Sequence, residues 1–141
     1  MRFFSVDTLW YHISMGLLLT LFFSSFITLA LVHSFAEKFF LYWKYQWFDI
    51  PVHFLGGIVC AFGIAILPFF RIRFFERNKS SIAYVCGVFF IGVCWEVFEY
   101  NSGLYQLEQH IVIDTLTDIS MDILGAIVGY SIVNRIKQLY V

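Results

Sequence analysis

Four apolar segments run along this chain and are separated by shorter polar connections. Each segment is long enough to cross a bilayer as an α-helix, which needs about 20 predominantly apolar residues. The first segment contains no charged side chain, whereas each of the other three contains acids. The pattern predicts an all-α integral membrane four-helix bundle that forms a single transmembrane domain over residues 1–141, with helices at residues 13–32, 49–70, 81–100 and about 115–133.

The two longest connections differ in composition. Residues 33–48 are rich in aromatic side chains, with Lys38 and Lys44 among them, which is typical of a segment that lies at the level of the lipid headgroups. Residues 101–114 contain Gly103, Gln106 and His110 and predict a loop on the outer side of the membrane.

The distribution of lysine and arginine predicts the orientation of the bundle. These residues cluster before the first segment, between the second and third, and after the fourth. With four crossings these regions share one side, which the positive-inside rule makes the cytoplasm. Both termini are therefore predicted to be cytoplasmic. Most of the acids fall on the outer side or in the outer halves of the helices: Glu37, Asp49, Glu96, Glu99, Glu108, Asp114, Asp118 and Asp122.

Composition agrees with a membrane protein and excludes a nucleic-acid partner. The 141-residue chain is 60% hydrophobic and 13% charged, against about 25% charged residues in a soluble domain. The formal net charge is −1, and the few basic residues are accounted for by topology. The lipid bilayer is thus the first predicted partner.

Polar side chains recur in pairs at helical spacing near the outer ends of three segments. Residues three or four apart are neighbours on a helix surface. An ionised carboxylate within hydrocarbon costs at least a few kcal/mol, so one that persists there usually faces a cavity or a partner. The pairs are Asp49 with His53, Glu96 with Glu99, and Asp118 with Asp122.

Small residues continue the same helical faces and indicate where the helices pack. Glycines let membrane helices approach closely. The acids are therefore predicted to point into the bundle, alongside the predicted helix-packing residues Gly56, Gly57, Gly92, Gly125 and Gly129.

The acidic layer needs a neutralising partner, and these helices carry no lysine or arginine at that level. Bound metal, bound protons or a cationic substrate remain. Carboxylates with one imidazole suit a divalent metal ion such as Mg²⁺, Mn²⁺, Ca²⁺, Fe²⁺ or Zn²⁺. Glu96 and Asp122 lie deepest and are the predicted catalytic residues. The predicted metal ligands are Asp49, His53, Glu96, Glu99, Asp118 and Asp122.

Structural explanations compete for some of these positions. Asp49 precedes Ile50-Pro51, a favourable helix start, and could be an N-cap. Thr115-x-x-Asp118 resembles a capping box. Glu99 could lie among headgroups, and His53 could be a hydrogen-bonded core histidine.

The three motifs together resemble those of the VanZ-like and YjdF-like small polytopic bacterial membrane proteins. The motifs are Asp49-x-x-x-His53-Phe54-x-Gly56, Trp95-Glu96-x-x-Glu99 and Asp118-x-x-x-Asp122-x-x-Gly125. VanZ-like proteins have a similar D-x-x-x-H, a later E-x-x-Q and a final D-x-x-x-N-x-x-G. Glu99 and Asp122 depart from that pattern by adding charge, which brings the chain closer to the YjdF-like pattern.

The resemblance implies a multi-pass protein of the bacterial inner (cytoplasmic) membrane. The VanZ name comes from teicoplanin resistance, which implies work on the cell envelope. The leading hypothesis is metal-assisted hydrolysis or transfer at a lipid headgroup or a lipid-linked envelope precursor. A cation- or proton-coupled carrier and a non-catalytic structural subunit remain open, so the sequence does not decide whether the chain is an enzyme. A homo-oligomer is compatible with all three.

Overall fold

A computed structural model describes residues 6–70, 80–102 and 111–140 of the chain. Within these ranges the chain forms α-helices and two short 3₁₀ turns, at Gln46–Phe48 and Leu67–Phe70, and contains no strand. The all-α prediction is confirmed for the described residues. The helices are α1 (Val6–Lys38), α2 (Leu41–Lys44), α3 (Asp49–Ile66), α4 (Ser81–Ser102) and α5 (Ile111–Tyr140).

Three helical stretches of the described residues are long and apolar enough to cross a membrane: His12–Lys38, Asp49–Phe70 and Ser81–Ser102. The fourth long helix, α5, has 30 residues, so it would also be long enough at 1.5 Å per residue, but acids interrupt its first half. That α5 is a fourth crossing, and that both termini are cytoplasmic, stay predictions. The basic connection at 71–79 and most of the outer loop at 101–114 lie outside the described residues.

The helices α3, α4 and α5 alternate in direction, as shown by the residues that meet across their interfaces. Ala61 meets Gly129 and Gly57 meets Asp122, so α3 and α5 run parallel. Tyr84 stacks edge-on against Tyr130, with ring centroids 5.0 Å apart, while Gly92 approaches Asp122, so α4 runs opposite to α5. The acidic residues of the three helices therefore lie at the same end of the bundle.

The first and last long helices extend beyond the predicted segments at both ends: α1 covers Val6–Lys38 and not 13–32, and α5 covers Ile111–Tyr140 and not about 115–133. The α1 helix continues through residues 33–38, within the predicted interfacial segment, because no proline or glycine interrupts it. It ends where Phe40 adopts φ 55°, a left-handed conformation that is uncommon outside glycine. The α5 helix begins at Ile111, so Asp118 lies in the helix interior and the capping-box interpretation is wrong. The N-cap of α3 is Phe48, so the capping interpretation of Asp49 is also wrong.

The α3–α5 interface is the most extensive in the described structure, and α3 also packs against α1 and α4. Glycines bring the two backbones together. A Cβ at Gly57 would overlap the backbone carbonyl of Asp122, and a Cβ at Gly125 would overlap the carbonyl of Phe54. Beyond this contact the core is hydrophobic, with Ala61, Ile64 and Val133 among its members.

Candidate functional site

The acidic cluster (Asp49, His53, Glu96, Glu99, Asp118 and Asp122) lies at one end of the bundle. Four of its members are buried inside the protein: Asp118 is 1% exposed, and His53, Glu96 and Asp122 are each 6% exposed. Asp49 and Glu99 are partly exposed. A charged or polar side chain is rarely so buried unless it is paired or hydrogen-bonded, so each of these four requires a partner.

The local sequence places these side chains by putting them on the stripe that each helix buries. On α4 the buried residues recur every fourth position as Tyr84, Val88, Gly92 and Glu96. Residues four apart share one helical face, so Glu96 continues an apolar packing stripe. On α5 the buried stripe that contains Ala126 and Val133 likewise begins with Asp118 and Asp122. The acids therefore face the neighbouring helices.

His53 lies between two carboxylates from different helices. Its Nδ1 is 3.4 Å from Oδ2 of Asp122, and its Nε2 is 3.7 Å from Oδ1 of Asp49. In the tautomer that carries hydrogen on Nδ1, this nitrogen donates to Asp122 and the lone pair of Nε2 points toward Asp49. The imidazole is thereby oriented by one carboxylate with its other nitrogen left to act as a ligand.

Asp118 has the most unusual environment in the cluster. Both of its carboxylate oxygens are buried and, within the described part of the chain, neither has a hydrogen-bond partner. Leaving a buried polar group unsatisfied costs about 1–3 kcal/mol, and more when the group is charged. The position is thus unfavourable unless another species interacts with the carboxylate.

Two sets of side chains in the described residues have the spacing of metal ligands. One set is Asp49, His53 and Asp118, and the other is His53, Glu96 and Glu99. Within each set, one ligand atom from each residue lies within 4.8 Å of the others. His53 belongs to both sets. Asp122 belongs to neither, although the sequence groups it with the ligands.

The carboxylate of Asp122 occupies a space that glycines on two helices leave open. A Cβ at Gly92 would lie 2.5 Å from Oδ2 of Asp122, and one at Gly56 would lie 3.6 Å from Oδ1. The contact at Gly92 is closer than real Cβ atoms approach a neighbour. The absence of a side chain at Gly92 is therefore what allows Asp122 to reach His53.

Sequence reasoning missed two residues beside the cluster, His33 and Tyr42. Nδ1 of His33 is 2.8 Å from the hydroxyl of Tyr42, and its Nε2 is 3.6 Å from Oε1 of Glu37. Burial, together with the negative charges of Asp49, Glu99 and Glu37, raises the pKa of Tyr42 above its ordinary value. The i, i+4 spacing of His33 and Glu37 was the one signal in the sequence that could have indicated this pair.

Fold and cluster together define a helical membrane protein with buried acids at one end. The chain belongs to a family described as "Predicted membrane protein (DUF2238)", whose family model matches residues 4–138. No curated protein and no solved structure matches the chain. The family confirms the prediction of a membrane protein that lies in a lipid bilayer. Its description does not name a VanZ-like or YjdF-like relation, so that resemblance stays a prediction.

Proposed function

We propose that the acidic cluster binds a divalent metal ion. The observation that carries the proposal is the carboxylate of Asp118, which is 1% exposed and whose oxygens have no hydrogen-bond partner among the described residues. Asp49 and His53 offer ligand atoms within 4.8 Å of it. A cation at this position would satisfy the buried charge.

The arrangement around His53 supports the same proposal. Metal-ligating histidines usually donate their second ring N–H to a carboxylate or carbonyl, which fixes the tautomer and the ring orientation. Asp122 is in position to accept this hydrogen bond, at 3.4 Å from Nδ1. We assign Asp122 the role of positioning His53, with Asp49, His53 and Asp118 as ligands.

The ligand types limit the range of candidate metal ions. Two carboxylates with one imidazole suit Mn²⁺, Fe²⁺ or Zn²⁺, and Mg²⁺ or Ca²⁺ where water completes the shell. When bound, such an ion activates water and polarises a phosphoryl or acyl oxygen. Glu96 and Glu99 offer carboxylates beside the ligands. In this proposal Glu96 would accept a proton from a water in the site.

The proposed activity is metal-assisted hydrolysis or transfer on a lipid headgroup or a lipid-linked envelope precursor. The cluster lies at one end of helices that can cross a membrane. The ends of such helices lie at the level of the lipid headgroups. The predicted orientation puts that end at the outer leaflet of the bacterial inner membrane, and the VanZ-like resemblance supports envelope work. A carrier or a structural subunit would use the same carboxylates without turnover.

Metal content is the experiment that tests the site. Protein purified in detergent without chelator should contain about one divalent ion per chain by inductively coupled plasma mass spectrometry. Chelator should lower the melting temperature of the parent protein, because a ligand that binds only the folded state stabilises it. Asp118→Asn should lose both the ion and the response to chelator.

A matched control is Glu37→Gln, which removes an exposed carboxylate outside the cluster and should leave metal content unchanged. Parent protein that contains no ion, ignores chelator and tolerates Asp118→Asn would contradict the metal site. Such a result would leave a protonated packing network as the explanation of the cluster.

The orientation is tested separately by reporter fusions. Fusions after Lys79 and after Val141 should report the cytoplasm, and a fusion within residues 106–108 should report the outside. A cytoplasmic signal from residues 106–108 would place the cluster at the inner leaflet and remove the link to the envelope.

A further inference from the structure

An apolar groove lies beside the acidic cluster, between the end of α1 and the short helix α2. Its volume is about 290 Å³. One water occupies roughly 30 Å³ in the liquid. The groove therefore has room for about ten groups the size of a water, comparable to a stretch of methylenes. The lining consists of Leu31, Val32, Phe35, Leu41 and Phe48.

Phe48 and Tyr42 lie between the groove and the cluster. Phe48 lines the groove and directly precedes Asp49 in the chain. The ring of Tyr42 lies edge-on to that of Phe48, with centroids 5.7 Å apart, and Tyr42 feels the charges of Asp49 and Glu99. A molecule in the groove would therefore end next to the carboxylates.

Two exposed lysines each lie about one helical turn along the chain from a residue that lines the groove. Lys38 follows the groove residue Phe35 by three positions, and Lys44 follows Leu41 by three. Neither lysine forms an ion pair within the described ranges 6–70, 80–102 and 111–140. Their ammonium groups lie over neighbouring rings, with Nζ of Lys38 6.0 Å from the Phe39 centroid. An apolar slot with cations beside it is complementary to an amphiphile with an anionic head.

We propose that the apolar groove binds an acyl chain of an anionic, phosphate-bearing lipid and that Lys38 and Lys44 hold its phosphate beside the acidic cluster. This inference rests on the proposed function, because it supplies the lipid class on which the cluster would act. A phosphate next to several carboxylates needs cations beside it. Lys38 and Lys44 would supply two that do not depend on metal, and a bound metal would add a third.

Native mass spectrometry of the purified chain in detergent tests the groove. The probes are dioleoylphosphatidylglycerol, dioleoylphosphatidylcholine and dioleoylglycerol, added with chelator present so that only contacts independent of metal are measured. The anionic lipid should bind most tightly, and dioleoylglycerol, which lacks phosphate, should bind most weakly. Equal binding of all three would mean annular lipid and would overturn the proposal.

Two variants separate the chain contact from the head contact. The double variant Lys38→Gln, Lys44→Gln should lower the affinity for the anionic lipid about thirtyfold. This is the size expected for two cations at an anionic lipid surface. Val32→Trp should fill the groove and lower the affinity for both phospholipids. The matched controls are Arg135→Gln, an exposed cation at the opposite end of the bundle, and Phe90→Trp, an exposed apolar residue of α4. If the lysine double variant and Val32→Trp bound the lipids as tightly as the parent does, the proposal would be overturned.

The metal and lipid sites can fail independently. Mn²⁺ binding is measured on the same variants without added lipid, and the lysine and groove variants should bind Mn²⁺ as the parent does. If the protein selected the anionic lipid but bound no Mn²⁺, the groove would be supported and the metal site contradicted. If it bound Mn²⁺ but showed no lipid selectivity, the metal site would be supported and the groove contradicted. A dimer that disappears in Val32→Trp would show a second copy in the groove and would overturn the lipid assignment.

Discussion

Along the α3–α5 interface, the half that contains His53, Asp118 and Asp122 can be compared with the half that contains Ala61, Ile64 and Val133. Burial is nearly the same in both, at 6%, 1% and 6% exposure in the first and 0%, 4% and 1% in the second. The apolar half shows that this pair of helices can pack without buried acids. Packing therefore does not require the buried acids of the polar half, and this is why we propose that they bind a ligand.

The largest effect should follow from replacing the residue that both ligand sets share. His53→Gln should weaken Mn²⁺ binding by more than the roughly 100-fold upper limit seen for outer-shell partners, because it removes a ligand outright. Isothermal titration measures the change. His12→Gln, outside the cluster, is the control and should have no effect. Similar Mn²⁺ affinity in His53→Gln and His12→Gln would show that the polar half, like the apolar half, is not a metal site.

Asp122→Asn should have the next largest effect. The amide keeps the shape that fits beside Gly92 but weakens the hydrogen bond that orients His53, so Mn²⁺ affinity should fall about 10–100-fold. A loss as large as that of His53→Gln would show that Asp122 is a direct ligand, as the sequence suggested. An unchanged affinity would remove it from the site altogether.

Gly57→Ala tests the contact where the two halves meet. The added Cβ would overlap the backbone of Asp122, so the helices must separate, at a cost of about 1–3 kcal/mol in the free energy of unfolding. Gly16→Ala is the control, since its Cβ would meet nothing within 4 Å. Unfolding in denaturing detergent compares the two, and equal stability would mean that close approach of α3 and α5 is not needed.

The smallest effect is expected in the apolar half. Ile64→Val removes one buried methylene and should lower the free energy of unfolding by about 0.5–1.5 kcal/mol while leaving Mn²⁺ affinity unchanged. Denaturation and metal titration of the same preparation measure both quantities. A change in metal affinity would show that the halves are coupled and that the comparison between them is too simple.

Residue spacing alone determined much of this protein. The apolar segments and their flanking charges place it in a membrane, since only hydrophobicity over about 20 residues is needed for that conclusion. Helical periodicity also places Glu96 on the packing face of α4 and Asp118 with Asp122 on that of α5. These properties are local, because a few neighbouring residues along one helix suffice to set them.

Only the tertiary structure decided which of these side chains meet. His53 and Asp122 are 69 positions apart, and their 3.4 Å separation depends on glycines that let α3, α4 and α5 approach. The proximity of His33 and Tyr42 depends on the turn at Phe40, whose left-handed backbone no sequence pattern indicated. Distances between helices follow from how whole surfaces fit together. Helical periodicity therefore identified the faces, and packing in three dimensions selected the contacts between them.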